Sequence, residues 1–275
     1  MEQVNIKPIT VDMATLLKYE ASRTIKPLMI AVLIPLLAVF TLTAVSFVPA
    51  QSVKAISLTL TTLGVAAGAI LPFVFLIFDY WRSGYGANAY LTHTMPVAGG
   101  KIFWAKLIWS TLAYLVSLAV FIGEVFIMLF QISRNVGMSY SSLLKDIFTA
   151  AEEAPNWILF FGVTYGFIYV VMSLVTLFFS ISVGFESRMQ RFGKAGPVII
   201  GVALYVIYQI VSFIFLFIPF GFEISSDLHF NSSNIFVGVE GPNNYLPIGI
   251  LIPPLLFVIV LTWRTWVSWQ KKISL

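Results

Sequence analysis

The sequence predicts an all-α membrane protein that crosses the bilayer with six transmembrane helices. Three observations carry that expectation. The chain is 59% hydrophobic and only 10% charged, where a soluble domain carries about 25% charged residues. Six runs, about 28–50, 56–78, 107–132, 156–183, 197–220 and 245–267, each hold the roughly 20 mostly apolar residues that a spanning helix needs. Thirteen of the 16 Lys and Arg fall in the terminal segments and even-numbered loops, and only Lys54, Arg134 and Lys145 fall in the odd-numbered loops. Because positive charge is retained on the inner side, both termini are expected in the cytoplasm. Residues 1–275 read as one transmembrane domain.

Ahead of the first span, residues 9–26 read as an interfacial helix. Asp12 can cap it. Leu16, Leu17 and Ala21 form an apolar side, and Lys18, Arg23 and Lys26 face the other way or snorkel to head groups. Pro27 is expected to mark a turn into the membrane. The helix serves either as an elbow that couples the cytoplasmic side to span one or as a plain surface anchor. The opening residues lack the basic and short apolar regions of a cleavable signal peptide.

Spans one and two contain Pro35 and Pro72, which tend to kink a spanning helix. Gly64 and Gly68 form a small-xxx-small pair that permits close helix contact. Span three contains Glu124, the one acidic residue deep in an apolar run. Burying a carboxylate costs several kcal/mol unless it is paired or protonated, so Glu124 should face protein or water. It is either a pathway or proton-coupled group, or it hydrogen-bonds to Tyr165, Tyr169, Tyr205, Tyr208 or Gln209.

The outer loop 133–155 carries a helix signal. Ser141 or Ser142 can cap it, and Leu143, Leu144, Ile147, Phe148 and Ala151 share one face. The short basic loop 184–196 reads as a cytoplasmic turn bounded by glycines, with Pro197 opening span five. Loop 221–244 is polar, and its Asn231-Ser-Ser triplet matches a glycosylation acceptor that is frequent by chance. Trp263, Trp266 and Trp269, with Arg264, Lys271 and Lys272, form an expected aromatic and basic belt.

Several chemistries are excluded. There is no cysteine, hence no disulfide or thiolate site. His93 and His229 fall on opposite sides of the membrane in this topology and cannot share a metal. No HExxH motif occurs, and no Walker-type phosphate loop: Gly99-Gly100-Lys101 lacks the first glycine and the following hydroxyl. The chain thus shows no means of binding ATP, so any ATP-driven work, with its ATP and Mg, must come from another subunit, and no enzyme activity or nucleic-acid partner is expected of this chain.

Residues 79–106 are too polar to cross the bilayer and too patterned for a slack linker. Tyr85 to His93 can form one or two helical turns that Pro96 ends, Gly99 and Gly100 allow a tight turn, and the next helix starts at Lys101, with Ile102, Phe103 and Leu107 on its apolar face. The order Gly86, Leu91, Thr92, Pro96, Val97, Lys101, Ile102, Lys106 resembles the inner loop of ABC-2 type ABC transporter permeases, which takes the form G-x-x-x-x-L-T-x-x-x-P-V-x-x-x-K-I-x-x-x-K. The resemblance extends in layout to the amphipathic N-terminal helix and to six spans with both ends inside, and in motif to about 20 residues.

The resemblance implies a type V exporter-like permease with an N-terminal elbow helix and a cytoplasmic coupling helix, in the cell membrane of a bacterium. It implies ABC ATPase subunits and a second permease, identical or paralogous, as partners. Tyr90, Leu91, His93, Met95 and Pro96 are the implied ATPase-coupling contacts. The implied activity is export of an amphipathic peptide, drug or lipid. Loop 221–244 departs from relatives that carry a hydrophobic re-entrant hairpin there. The rival reading is a secondary transporter or channel without an ATPase, using Glu124; a membrane scaffold or sensor is a third.

Overall fold

The computed structural model describes residues 12–86, 89–94, 97–153, 155–218, 220–223, 229–231 and 245–271. The protein is a multi-pass helical membrane protein. Among the described residues six helices are long and apolar enough to cross a bilayer, and one small sheet departs from the otherwise helical pattern. The helices are α1 (Met13–Val45), α2 (Gln51–Gly84), α3 (Ala89–His93), α4 (Gly99–Val136), α5 (Tyr140–Glu153), α6 (Asn156–Gly184), α7 (Gly196–Leu216) and α8 (Ile252–Lys271). The chain forms two compact units, Met1–Ile147 and Phe148–Leu275.

In the first unit, α1, α2 and α4 pack against one another pairwise and α3 packs on α2. Asp12 caps α1 as expected: its Oδ1 accepts from the Met13 amide at 2.8 Å and its carbonyl accepts from the Thr15 and Leu16 amides. The expected break at Pro27 is absent, and the interfacial helix and span one are a single helix through Pro27 and Pro35. The physical reason is a buried stripe at four-residue steps, Leu16, Glu20, Thr24 and Leu28, that runs straight past Pro27. The proline itself is exposed, so packing along the buried stripe beside it holds the helix despite the backbone bond that is lost. Residues 9–11 of the expected interfacial helix lie outside the described residues.

Helix α1 stops at Val45, short of the expected end at 50, because Pro49 restricts Val48 and cannot continue a helix. Leu28, Leu76 and Ala113, one from each of the three long helices, form an apolar cluster flanked by Phe75, Trp109 and Tyr114. Near the Val45 end, Gln131 joins the three helices: it accepts from Thr43 Oγ1 at 3.4 Å and donates to Ser57 Oγ at 3.1 Å. In the same region Arg134 stacks over the Phe47 ring at 3.6 Å.

Helix α5 begins at Tyr140, so Ser141 and Ser142 lie inside its first turn, and the Ser142 hydroxyl donates to the Ser139 carbonyl. Its apolar residues Ile147 and Phe148 are exposed, which suits a helix resting on a bilayer surface.

In the second unit, α6 packs against both α7 and α8. The turn between α6 and α7 is a 3-10 helix, Ser187–Ala195. Its bounding glycines were legible, and the structure gives their reason: a Cβ on Gly196 would strike the Gly184 carbonyl oxygen, and a Cβ on Gly184 would strike the Pro197 backbone nitrogen. Two backbones meet here with no room for a side chain.

Between α7 and α8 the chain makes three antiparallel strands, β1 (Gly221–Glu223), β2 (His229–Asn231) and β3 (Tyr245–Pro247), in the order β2-β1-β3. Phe222 of β1 lies 6.0 Å from the Trp157 ring and 6.4 Å from the Phe161 ring, at the start of α6. Because 245–247 pair as a strand and Ile248–Ile250 form a 3-10 turn, α8 begins at Ile252 rather than at 245. Ser232 and Ser233 of the glycosylation triplet lie outside the described residues, as does Lys272 of the expected belt.

Candidate functional site

The site is built at the end of the first unit where α2 leaves off and α4 begins. Helix α2 closes with the Tyr85 and Gly86 amides donating to the Trp81 carbonyl, and the Ala89 amide then donates to the Gly86 carbonyl to open α3. The sequence expectation of a short helix within Tyr85–His93 matches Ala89–His93. Helix α4 starts two residues sooner than Lys101, at Gly99, with Ile102, Phe103 and Leu107 all buried.

Beneath α3 lies a charge cluster. Lys106 Nζ donates to Glu20 Oε1 at 2.8 Å and to Ser83 Oγ at 2.8 Å. Arg23 Nη2 reaches Glu20 Oε2 and Asp79 Oδ2, both at 2.6 Å. The side chains of Lys106 and Glu20 are 3% and 7% exposed, so this pair belongs to the interior. Two carboxylates face two cations, and a balanced set of charges avoids the several kcal/mol per ion that an unpaired buried charge costs. Trp109 Nε1 donates to Thr24 Oγ1 at 2.6 Å, and that hydroxyl donates to the Glu20 carbonyl, which fixes the α1 side of the cluster.

Ser83 ties the cluster to the loop. Its carbonyl accepts from Thr92 Oγ1 of α3 at 2.7 Å, while its hydroxyl accepts from Lys106. Thr92 and Lys106, two residues of the loop motif that stand 14 positions apart, therefore converge on one serine. Tyr90 projects from α3 at 69% exposure. The backbone of Leu91 and His93 is in α3, but their side chains, with all of Met95 and Pro96, lie outside the described residues.

Arg23 was expected, with Lys18 and Lys26, to face away from the apolar side or to snorkel to head groups. Those two lysines are exposed, but Arg23 is half-buried and paired. The reason is position: Arg23 falls one turn after Glu20 on α1 and meets Asp79 of α2. Sequence reasoning passed over Glu20 and Asp79. The available signal was an acidic residue just inside the basic end of each of two spans, with cations at matching depth.

Glu124 sits apart from this cluster. It is 1% exposed, and its Oε2 has no hydrogen-bond partner in its own unit among the described residues. A Cβ on Gly68 of α2 would collide with its carboxyl, so the glycine forms the notch that admits it. Gly64 of the same small-residue pair faces Val39 of α1 at contact distance. The tyrosines and glutamine expected as partners, Tyr165, Tyr169, Tyr205, Tyr208 and Gln209, belong to the second unit.

The second unit has its own buried acid. Glu186 is 6% exposed and accepts from Arg264 Nη2 at 2.8 and 3.0 Å and from Ser268 Oγ at 2.9 Å. Arg264 was expected to be a belt anchor, and Trp269 likewise. The structure pairs Arg264 with Glu186 and buries Trp269 to 4% exposure, leaving Trp263 as the exposed ring. A helix end can turn one face inward, and hydropathy does not reveal which. Among the described residues no three His, Asp or Glu side chains gather closely enough to hold a metal ion. No family model, curated protein or solved structure matches the chain.

Proposed function

We propose that the chain is the permease subunit of an ATP-driven exporter of the ABC-2 type, with both termini in the cytoplasm. It works beside a second permease and moves an amphipathic substrate outward. ABC ATPase subunits dock on α3, with Tyr90 as the exposed contact and Leu91, His93, Met95 and Pro96 around it. The observation that best supports this reading is the convergence of Thr92 and Lys106 on Ser83. A push on α3 passes through Thr92 to α2, through Ser83 to Lys106 of α4, and through Glu20 to α1. A short helix fixed in this way to three spanning helices is the mechanical part that a separate motor requires. Two conformations then differ in their affinity for the ATP-bound motor, and the nucleotide shifts the balance between them.

The test is purification of the full chain from its native membrane. An ABC-type ATPase should co-purify and should be lost when residues 86–96 are deleted, while the deleted chain still inserts. Transport at full rate in vesicles that hold this chain alone, without any nucleotidase, overturns the proposal.

A further inference from the structure

We infer that Glu124 is a proton-binding site inside the helix bundle of the first unit, held as a neutral carboxylic acid at neutral pH. The argument is one of exclusion by distance and by donor chemistry. Glu124 lies within the apolar run of α4, at 1% exposure, with Oε2 unpartnered within its unit among the described residues and its carboxyl seated against the bare backbone of Gly68.

Tyr140 of α5 touches α4, its hydroxyl donating to the Phe126 carbonyl at 3.4 Å; the long helices packed on α4 are α1 and α2, and their titratable and charged groups stand far off. On α1 they are Lys18, Tyr19, Glu20, Arg23 and Lys26, all before Pro27. Val39, the α1 residue against Gly64, is some 20 Å further along the helix than Lys26. On α2 they are Lys54, roughly 21 Å from Gly68, and Asp79, Tyr80 and Arg82, the nearest of these about 16 Å away. On α4, Lys101 and Lys106 are at least about 27 Å away, and Tyr114 and Arg134 each stand about 15 Å away along the axis.

The nearer of these groups are also engaged. Asp79 belongs to the charge cluster, the Tyr114 hydroxyl donates to the Ala69 carbonyl at 3.3 Å, and Arg134 stacks on Phe47. A metal cation fares no better, since calcium or magnesium wants six or more oxygen ligands and the surface that meets the Glu124 carboxyl is the bare backbone of Gly68.

The polar residues on the same face of α4 come at seven-residue steps, Ser110, Ser117, Glu124 and Gln131, all buried. The next polar side chain along that face is therefore two turns, about 10 Å, away in either direction. A carboxylate in that setting would be desolvated without compensation. Among the described residues of the first unit a proton is the one cation the site can hold, and intramembrane acids so placed commonly mark proton-handling sites.

Infrared spectroscopy of the full chain in lipid nanodiscs at pH 7 tests this directly. The expected result is a protonated-acid carbonyl band of one group that is lost in Glu124→Gln and retained in Glu20→Gln. The same band must move when glutamate is labelled with carbon-13, a measurement that needs no variant to fold. Absence of that band at pH 7, with an ionised carboxylate signal lost in Glu124→Gln instead, overturns the inference. The result is independent of whether an ATPase co-purifies.

Discussion

Lys106 Nζ lies 2.8 Å from Glu20 Oε1, an ion pair between residues 86 positions apart that is closed to solvent. It joins α4 to α1 at the last residue of the loop motif, and each partner is the other's compensation for leaving water.

Removing one member should therefore cost more than the pair is worth. Lys106→Met leaves Glu20 with Arg23 alone and is expected to lower stability by about 3–5 kcal/mol. Glu20→Gln combined with Lys106→Met should recover part of that loss, because no uncompensated charge remains. Unfolding of the detergent-solubilised variants, analysed as a double-mutant cycle, provides the coupling. Strict additivity of the two single losses would show that the pair is not an energetic unit.

Tyr90 and Thr92 should separate contact from transmission. Tyr90→Asp changes only an exposed side chain, so stability should move by less than about 0.5 kcal/mol while ATPase binding falls. Thr92→Val removes the bond to the Ser83 carbonyl at a cost of about 1 kcal/mol. It should leave ATPase binding in place and lower transport per ATP hydrolysed. The measurements are co-purification for the first variant and ATPase-coupled flux for the second.

Orientation follows from two exposed lysines. The chain has no cysteine, so a single introduced thiol reports alone. Lys145→Cys on α5 should react with a membrane-impermeant maleimide in intact cells, and Lys101→Cys at the start of α4 should react only after the cells are opened. The reverse pattern would place both termini outside.

The contact of Gly184 with Gly196 predicts a sharp local intolerance. Gly196→Ala sets a methyl against the Gly184 carbonyl, and backbone cannot rotate away as a side chain can. A loss of roughly 1–3 kcal/mol is expected. Gly201→Ala, whose added Cβ would meet the Ser180 side chain at an ordinary 3.6 Å from its Oγ, should be close to neutral. Thermal unfolding of the two variants side by side reads the difference.

The spans were legible because hydropathy over some 20 residues is a strong local signal, and α3 was legible because glycines and a proline bracket it. The charge cluster was not. Glu20 and Lys106, or Arg23 and Asp79, look like ordinary charges near span ends, and only packing brings residues 86 and 56 positions apart together. Pro27 misled because a local rule met a tertiary stripe of four buried residues, and the stripe prevailed. The strands of the 221–247 region are three residues each, too short for alternation to register. Glu124 stood out in the sequence as a lone acid, but the reason it fits, the notch at Gly68, is a property of another helix.

Helices α1 and α4 are fastened to each other twice, by Glu20 with Lys106 and by Thr43 with Gln131. Measured along either helix, the two fastenings are some 35–37 Å apart, which is more than the roughly 30 Å of hydrocarbon between them. Two rungs at matched spacing make a ladder frame: neither rail can shear or scissor against the other without snapping a rung. Whatever gating motion the first unit performs, those two rails travel together as one plank, and the hinge has to be sought elsewhere.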